Sequence, residues 1–174
     1  DWAELIHLIS AMGKDAFESD LRRYIAQQPI GDKLHPRLTD TRTHALSPMK
    51  LDFVPVGKMF FQGAPRLLAA GLNILPCHPT TDLRVALEVY PALVNRRLNR
   101  KQPYKQDALS LQTDQHTAAR SALLNTLLSP IFADTYSFTL TLESSLITSA
   151  QSDKSGDTLD AILCALQAAW ASSM

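Results

Sequence analysis

Arg84-Val85-Ala86-Leu87-Glu88-Val89-Tyr90 is apolar at almost every position and is closed by Pro91. Such a run predicts a strand buried on both faces, the habit of strands in sheets that helices cover. Just before it, Leu72-Asn73-Ile74-Leu75-Pro76 predicts a short strand and Cys77–Asp82 a turn. Tyr136-Ser137-Phe138-Thr139-Leu140-Thr141-Leu142 alternates apolar and polar residues and predicts an edge strand. Helices are predicted over 2–12, 15–28, 57–70, 91–100, 113–128 and 156–172. Asp1 suits the cap of the first, Pro29-Ile30-Gly31 stops the second, and Gly71 closes the third. Pro65 predicts a kink or a late start in that third helix. Residues 29–56 hold four prolines and no sustained period, so they predict a long, mostly irregular segment. Few strands among many helices, one of them buried on both faces, predict an α/β layer fold.

Composition narrows the function classes. The chain has 174 residues, 45% of them hydrophobic and 20% charged, and its formal net charge is zero. That is enough for a real core and gives no global attraction to nucleic acid or membrane, so any basic footprint is local. No apolar run reaches the ~20 residues of a membrane span. Cys77 and Cys164 are too few for a disulfide framework, and a reduced, cytoplasmic setting is expected. The chain opens at Asp1 without Met and runs straight into an apolar helical pattern, so an internal fragment or processed product is expected.

Ser155-Gly156-Asp157-Thr158-Leu159-Asp160-Ala161-Ile162-Leu163-Cys164-Ala165-Leu166 carries the chemistry. A turn opens into an apolar helix whose first turn holds Asp157 and Asp160, neighbours on one face at i and i+3. Beyond them Ala161, Cys164, Ala165, Ala168 and Ala169 form a small apolar face, which predicts close packing against a sheet. Paired carboxylates on a packed scaffold can carry a divalent metal. Asp157 is equally suited to capping the helix, where a carboxylate meets free N–H groups and the positive dipole end. Glu88 is the second anomaly. An acid in a buried strand must emerge at the strand end, pair with a cation such as Arg84 or Arg96, or bind metal.

Basic residues flank Glu88. Arg96, Arg97, Arg100, Lys101 and Lys105 fall within Asn95–Lys105, with Tyr104 among them. Such a cluster suits phosphate contact, and it equally suits the solvated C-terminal end of a helix. Lys50 and Lys58 lie among Met and Phe in Pro48–Phe61; their stems can run along apolar surface to a phosphate or simply line the loop. The histidines show no zinc spacing, and no HExxH, P-loop, GxGxxG or GxSxG occurs.

Four runs are similar to one family. They are Ser47-Pro48-Met49-Lys50-Leu51, Val56–Leu67, Glu88-Val89-Tyr90-Pro91-Ala92-Leu93-Val94 and Gly156–Ala165, and together they resemble the prokaryotic domain of unknown function 429. The resemblance implies a predicted nuclease with a ribonuclease H-like fold: a central mixed sheet with helices packed on it. It implies a single domain over 1–174, with a helical and loop insertion over roughly 1–71 and the sheet and catalytic helix over roughly 72–174. It implies Mg²⁺ or Mn²⁺ as cofactor, nucleic acid (DNA or RNA) as partner, and two-metal phosphodiester hydrolysis. Glu88 then matches the central-strand acid and Asp157 and Asp160 the acids of the last helix, as catalytic residues and metal ligands. The family's first strand, with its Asp, would precede residue 2 and is not in the sequence. The fold is therefore expected to be incomplete at its N-terminus, and the fragment inactive. Two other readings follow from the residues alone: a nucleic-acid or nucleotide-binding module without catalysis, and a protein-interaction domain docking through 53–61.

Overall fold

A computed structural model describes residues 1–99, 102–106 and 108–173, which are mostly helical with one small parallel sheet. Two compact units divide the chain, Asp1–Glu88 and Val89–Met174. The expected boundary near residue 71 lies inside the first unit, which keeps both strands.

In the first unit the Asp1 carboxylate accepts the Glu4 amide at 2.8 Å and caps α1 (Trp2–Met12). Gly13, at φ 80°, turns the chain directly into α2 (Lys14–Gln27). The long segment that follows is not wholly irregular: α3 (Leu38–Thr43) forms within it, because the Asp40 carboxylate turns back to accept the Arg37 amide at 2.8 Å. α4 (Val56–Ala69) runs through Pro65 rather than starting there. It packs on α1, where Ile6, Ile9 and Ala64 are buried among Trp2, Met12, Phe17, Phe60, Phe61 and Leu68. Burial of this aromatic-rich seam outweighs the backbone hydrogen bond that Pro65 cannot donate.

β1 (Asn73–Leu75) pairs in parallel with β2 (Val85–Leu87), Ile74 opposite Ala86. The run expected to be the most buried strand is shorter than its apolar stretch and not buried on both faces. Val85 is 51% exposed, while Ala86 and Leu87 are half-buried. The sheet has two strands among the described residues, so β2 has one neighbour to pair with.

The second unit begins with α5 (Pro91–Leu98), with Pro91 in its first turn. A short 3₁₀ turn (Leu109–Leu111) leads to α6 (Asp114–Leu127), α7 (Pro130–Tyr136), α8 (Ser144–Ser152) and α9 (Asp157–Ser172). Their core joins Val94, Leu123, Leu124, Leu127, Phe132, Leu159 and Leu163. The expected edge strand over 136–142 is instead the end of α7 and an extended segment without a ladder partner. Its alternation is real: Phe138, Leu140 and Leu142 pack on the core while Ser137, Thr139 and Thr141 face out.

α9 also corrects an expectation. Leu159, Ile162, Leu163 and Leu166 form its buried stripe, and Ala161, Ala165, Ala168 and Ala169 are exposed. The helix packs on α5 and α8, so large side chains rather than alanines fill the space between helices. Asp157 and Asp160 lie beside the buried stripe, Asp157 exposed and Asp160 half-buried.

Candidate functional site

The turn before α9 is built by Asp153. One of its carboxylate oxygens accepts the Ser155 amide at 2.9 Å and hydroxyl at 2.7 Å; the other accepts the Thr158 amide and hydroxyl, both at 2.8 Å. The Ser155 hydroxyl, then the Thr158 amide, hold the Asp153 carboxyl well below the usual carboxylate range. Asp153 therefore does the capping for which Asp157 was a candidate; the N-cap position is Gly156, which has no side chain to offer, and Asp157 is the first helical residue.

That leaves Asp157 and Asp160 for other partners. The Tyr104 hydroxyl donates to one oxygen of Asp160, and the Lys105 ammonium donates to the other at 2.6 Å. The same ammonium lies 3.8 Å from Asp157. Lys105 thus bridges the pair: Asp160 is largely shielded, with 26% of its side chain exposed, whereas Asp157 stands in solvent at 80%. Gly156 makes this possible. It sits at φ 75°, and a Cβ there would fall 2.8 Å from Lys105 Cδ, so the lysine stem lies across the bare glycine backbone.

Tyr104 is buried, and burial first, the Asp160 carboxylate second, push its phenol pKa up, so it remains a hydrogen-bond donor. Burial, then Asp160, also push the Cys164 thiol up, which keeps it protonated and a poor nucleophile. Arg120, 1% exposed, fixes the Tyr104 segment from behind. It donates to the Tyr104 carbonyl at 2.7 Å, the Gln151 carbonyl at 2.9 Å and the Thr117 hydroxyl at 3.0 Å. Gln151 lies in the last turn of α8, where free carbonyls and the helix dipole favour a cation.

Glu88 lies in the first unit and is claimed by Arg37, not by Arg84, which pairs with Asp82 at 2.7 Å. Arg37 grips Glu88 through two nitrogens at 2.9 and 2.6 Å and Asp40 through two at 3.0 and 2.7 Å. Asp40 is buried and held below the usual carboxylate range by this guanidinium, whereas 72% of the Glu88 side chain is exposed. Both Glu88 oxygens are therefore occupied by a fork–fork pair.

The expected phosphate ligands have separate environments. Lys58 pairs with Glu18 at 3.1 Å. Lys50 lies 6.0 Å from the centre of the Phe53 ring. Arg96 stacks over Tyr90 and Arg97 over Tyr136. Arg100 and Lys101 lie outside the described residues, and Lys105 serves the aspartates. Among the described residues no group of three or more His, Cys, Asp or Glu side chains gathers as a metal cage. The two-carboxylate set of Asp157 and Asp160 is what α9 offers to a hard cation, and Lys105 already places a positive charge on it.

Tyr104, Arg120, Asp153 and Arg37 are the functional or supporting residues that sequence reasoning missed. Asp153 was findable: Asp-x-Ser followed by Thr is a turn-and-cap pattern. The other three act across 16 to 56 residues of chain, where spacing carries no signal.

A family model described as "Protein of unknown function (DUF429)" matches residues 56–173, more than half of the chain. Comparison with curated proteins and with solved structures yields no match.

Proposed function

The chain belongs to the DUF429 family of proteins of unknown function, and we propose that it is a metal-dependent nuclease with a ribonuclease H-like organisation. Asp157 and Asp160 carry this reading, through one observation: an ammonium group sits against both carboxylates, where an adjoining acidic pair invites a cation. Their oxygens suit Mg²⁺ or Mn²⁺, which are bound through one or two carboxylates, waters and substrate phosphates. The metal would supply Lewis-acid polarisation of a phosphodiester. Tyr104 holds one oxygen of Asp160 and so fixes its rotamer. Lys105, displaced from the pair, keeps a positive charge beside it for a DNA or RNA phosphate. The parallel pairing of β1 and β2 agrees with an α/β sheet of this kind. No helix among the described residues is long and apolar enough to cross a membrane; a cytoplasmic location is part of the proposal.

Glu88 is the weaker member of the proposed set, because Arg37 must release it before it can hold anything else. The test is a Mn²⁺ titration followed by thermal unfolding, with cleavage of labelled DNA and RNA measured in parallel. Mn²⁺ is expected to raise Tm in the parent chain but not in Asp157→Asn/Asp160→Asn. Cleavage that survives Asp160→Asn, or a metal shift that survives the double substitution, overturns the reading. A second reading rests on the same ion pair: with Lys105 neutralising the acids structurally, the chain would be a nucleic-acid or nucleotide-binding module without catalysis. Binding without any metal-dependent stabilisation would favour it.

A further inference from the structure

The first unit holds a cleft of about 450 Å³ between α2 and the Lys50–Phe53 turn. Ile25, Leu34 and Leu51 line it with apolar surface, and Leu51 is fully buried beneath. On its wall Arg22 grips Asp52 through two hydrogen bonds of 2.8 Å, so these opposite charges cancel and fix the turn. Lys33 and Lys50 also line the cleft. Neither ammonium has a carboxylate partner among the described residues. Beside them stands Phe53, whose side chain reaches solvent almost completely, at 98% exposure.

Phe53 is costly in two ways. Its ring buries almost no surface and has only the Lys50 ammonium 6.0 Å from its centre, and its backbone is held at φ 63°, a region that Gly or Asn adopts far more readily than an aromatic residue. An exposed flat ring, two cations outside any ion pair among the described residues and an apolar floor within one small volume define an occupant. It is planar and aromatic at one end and anionic at the other. An alkyl carboxylate would use the floor but gain nothing from the ring's face. A nucleotide uses all three, because bases stack on aromatic side chains and phosphates pair with lysines.

We propose that this cleft is a nucleotide subsite, in which Lys33 and Lys50 hold a phosphate and the Phe53 ring stacks on the base. The inference rests on the nucleic-acid reading above but needs neither metal nor catalysis. The nucleotide is one unit of a single strand or a free mononucleotide.

The test is run in EDTA, so that failure of the metal site leaves it untouched. A fluorescent oligothymidylate of about ten nucleotides is titrated with the chain and followed by anisotropy, with AMP as competitor. Phe53→Gly is expected to weaken binding about ten-fold, in the range of one lost base stack. The same substitution is expected to raise Tm by a few degrees, because glycine relieves the backbone. A merely structural Phe53 would not combine those two effects. Lys33→Glu/Lys50→Glu is expected to weaken binding at least ten-fold and to flatten the log–log salt dependence by about 0.7, the single-strand value for one neutralised phosphate. Displacement by AMP at matched nucleotide concentration assigns the subsite to a free nucleotide; resistance to AMP assigns it to a strand. Absence of binding, or binding unchanged in both variants, overturns the proposal.

Discussion

Gly156 shows how one missing methyl group shapes the acidic edge of α9. Gly156→Ala must adopt φ 75° and push aside the Lys105 stem, so it is expected to cost about 1–3 kcal/mol by thermal unfolding. In Lys105→Ala the contact with Cδ is removed and only the Cβ at 3.0 Å remains, so the steric part of that cost should shrink, leaving the two substitutions less than additive. Asp153→Ala removes the cap and is expected to cost about 0.5–2 kcal/mol. Its pH dependence has a definite sign. The folded-state pKa of Asp153 is depressed, so its contribution is fully present above the ordinary Asp pKa of ~3.9 and is lost as pH falls through the folded value. Asp153→Asn and the parent should therefore differ by a constant amount near neutrality and converge in acid. Arg37 offers a contrast between its two acids. Glu88→Gln, at an exposed pair, is expected to cost under about 1 kcal/mol. Asp40→Ala, at a buried carboxylate that accepts three hydrogen bonds from Arg37, one of them from its amide, is expected to cost about 1–3 kcal/mol. Equal losses in a denaturant titration would refute the difference in burial.

Among the elements, α9 decides between two stripes. Leu163→Ala opens the core and is expected to cost about 2–5 kcal/mol, whereas Ala165→Ser on the outer face should stay within about 0.5 kcal/mol. Most helices were legible in the sequence, because caps, prolines and glycines bracket α1, α2, α4, α5, α6 and α9 closely. α7 is not among the predicted helices, although Ser129-Pro130, a cap residue followed by proline at the first helical position, marks its start; the alternation predicts a strand only from Tyr136, where the helix ends. Alternation reports which side chains face a core; it does not report whether a neighbouring strand exists to pair with. The same gap explains β2, whose apolar run is longer than the ladder it joins. On α9 the alanines and the leucines both repeat with helical spacing, and only the packing of α5 and α8 chooses between them.

For the whole molecule, the formal net charge of zero at pH 7 removes colloidal repulsion. Solubility is expected to pass through a minimum near neutrality and to rise in acid and in base, as net charge of either sign builds up. Light scattering across pH at fixed ionic strength checks this, and a flat profile would contradict it. Neutrality also means that any attraction for phosphate is local, set by individual pairs of acids and cations. The distant partners of Tyr104, Arg120 and Arg37 were beyond sequence reading for the same reason: they join stretches that only the folded chain brings together. Lys105 gives that locality a thermodynamic meaning. It is a counter-ion tethered to the chain, present at its acidic pair at an effective concentration that dilution cannot lower. Any free cation must compete with it, so the affinity measured for an ion is a difference between two attractions rather than the pull of the carboxylates alone.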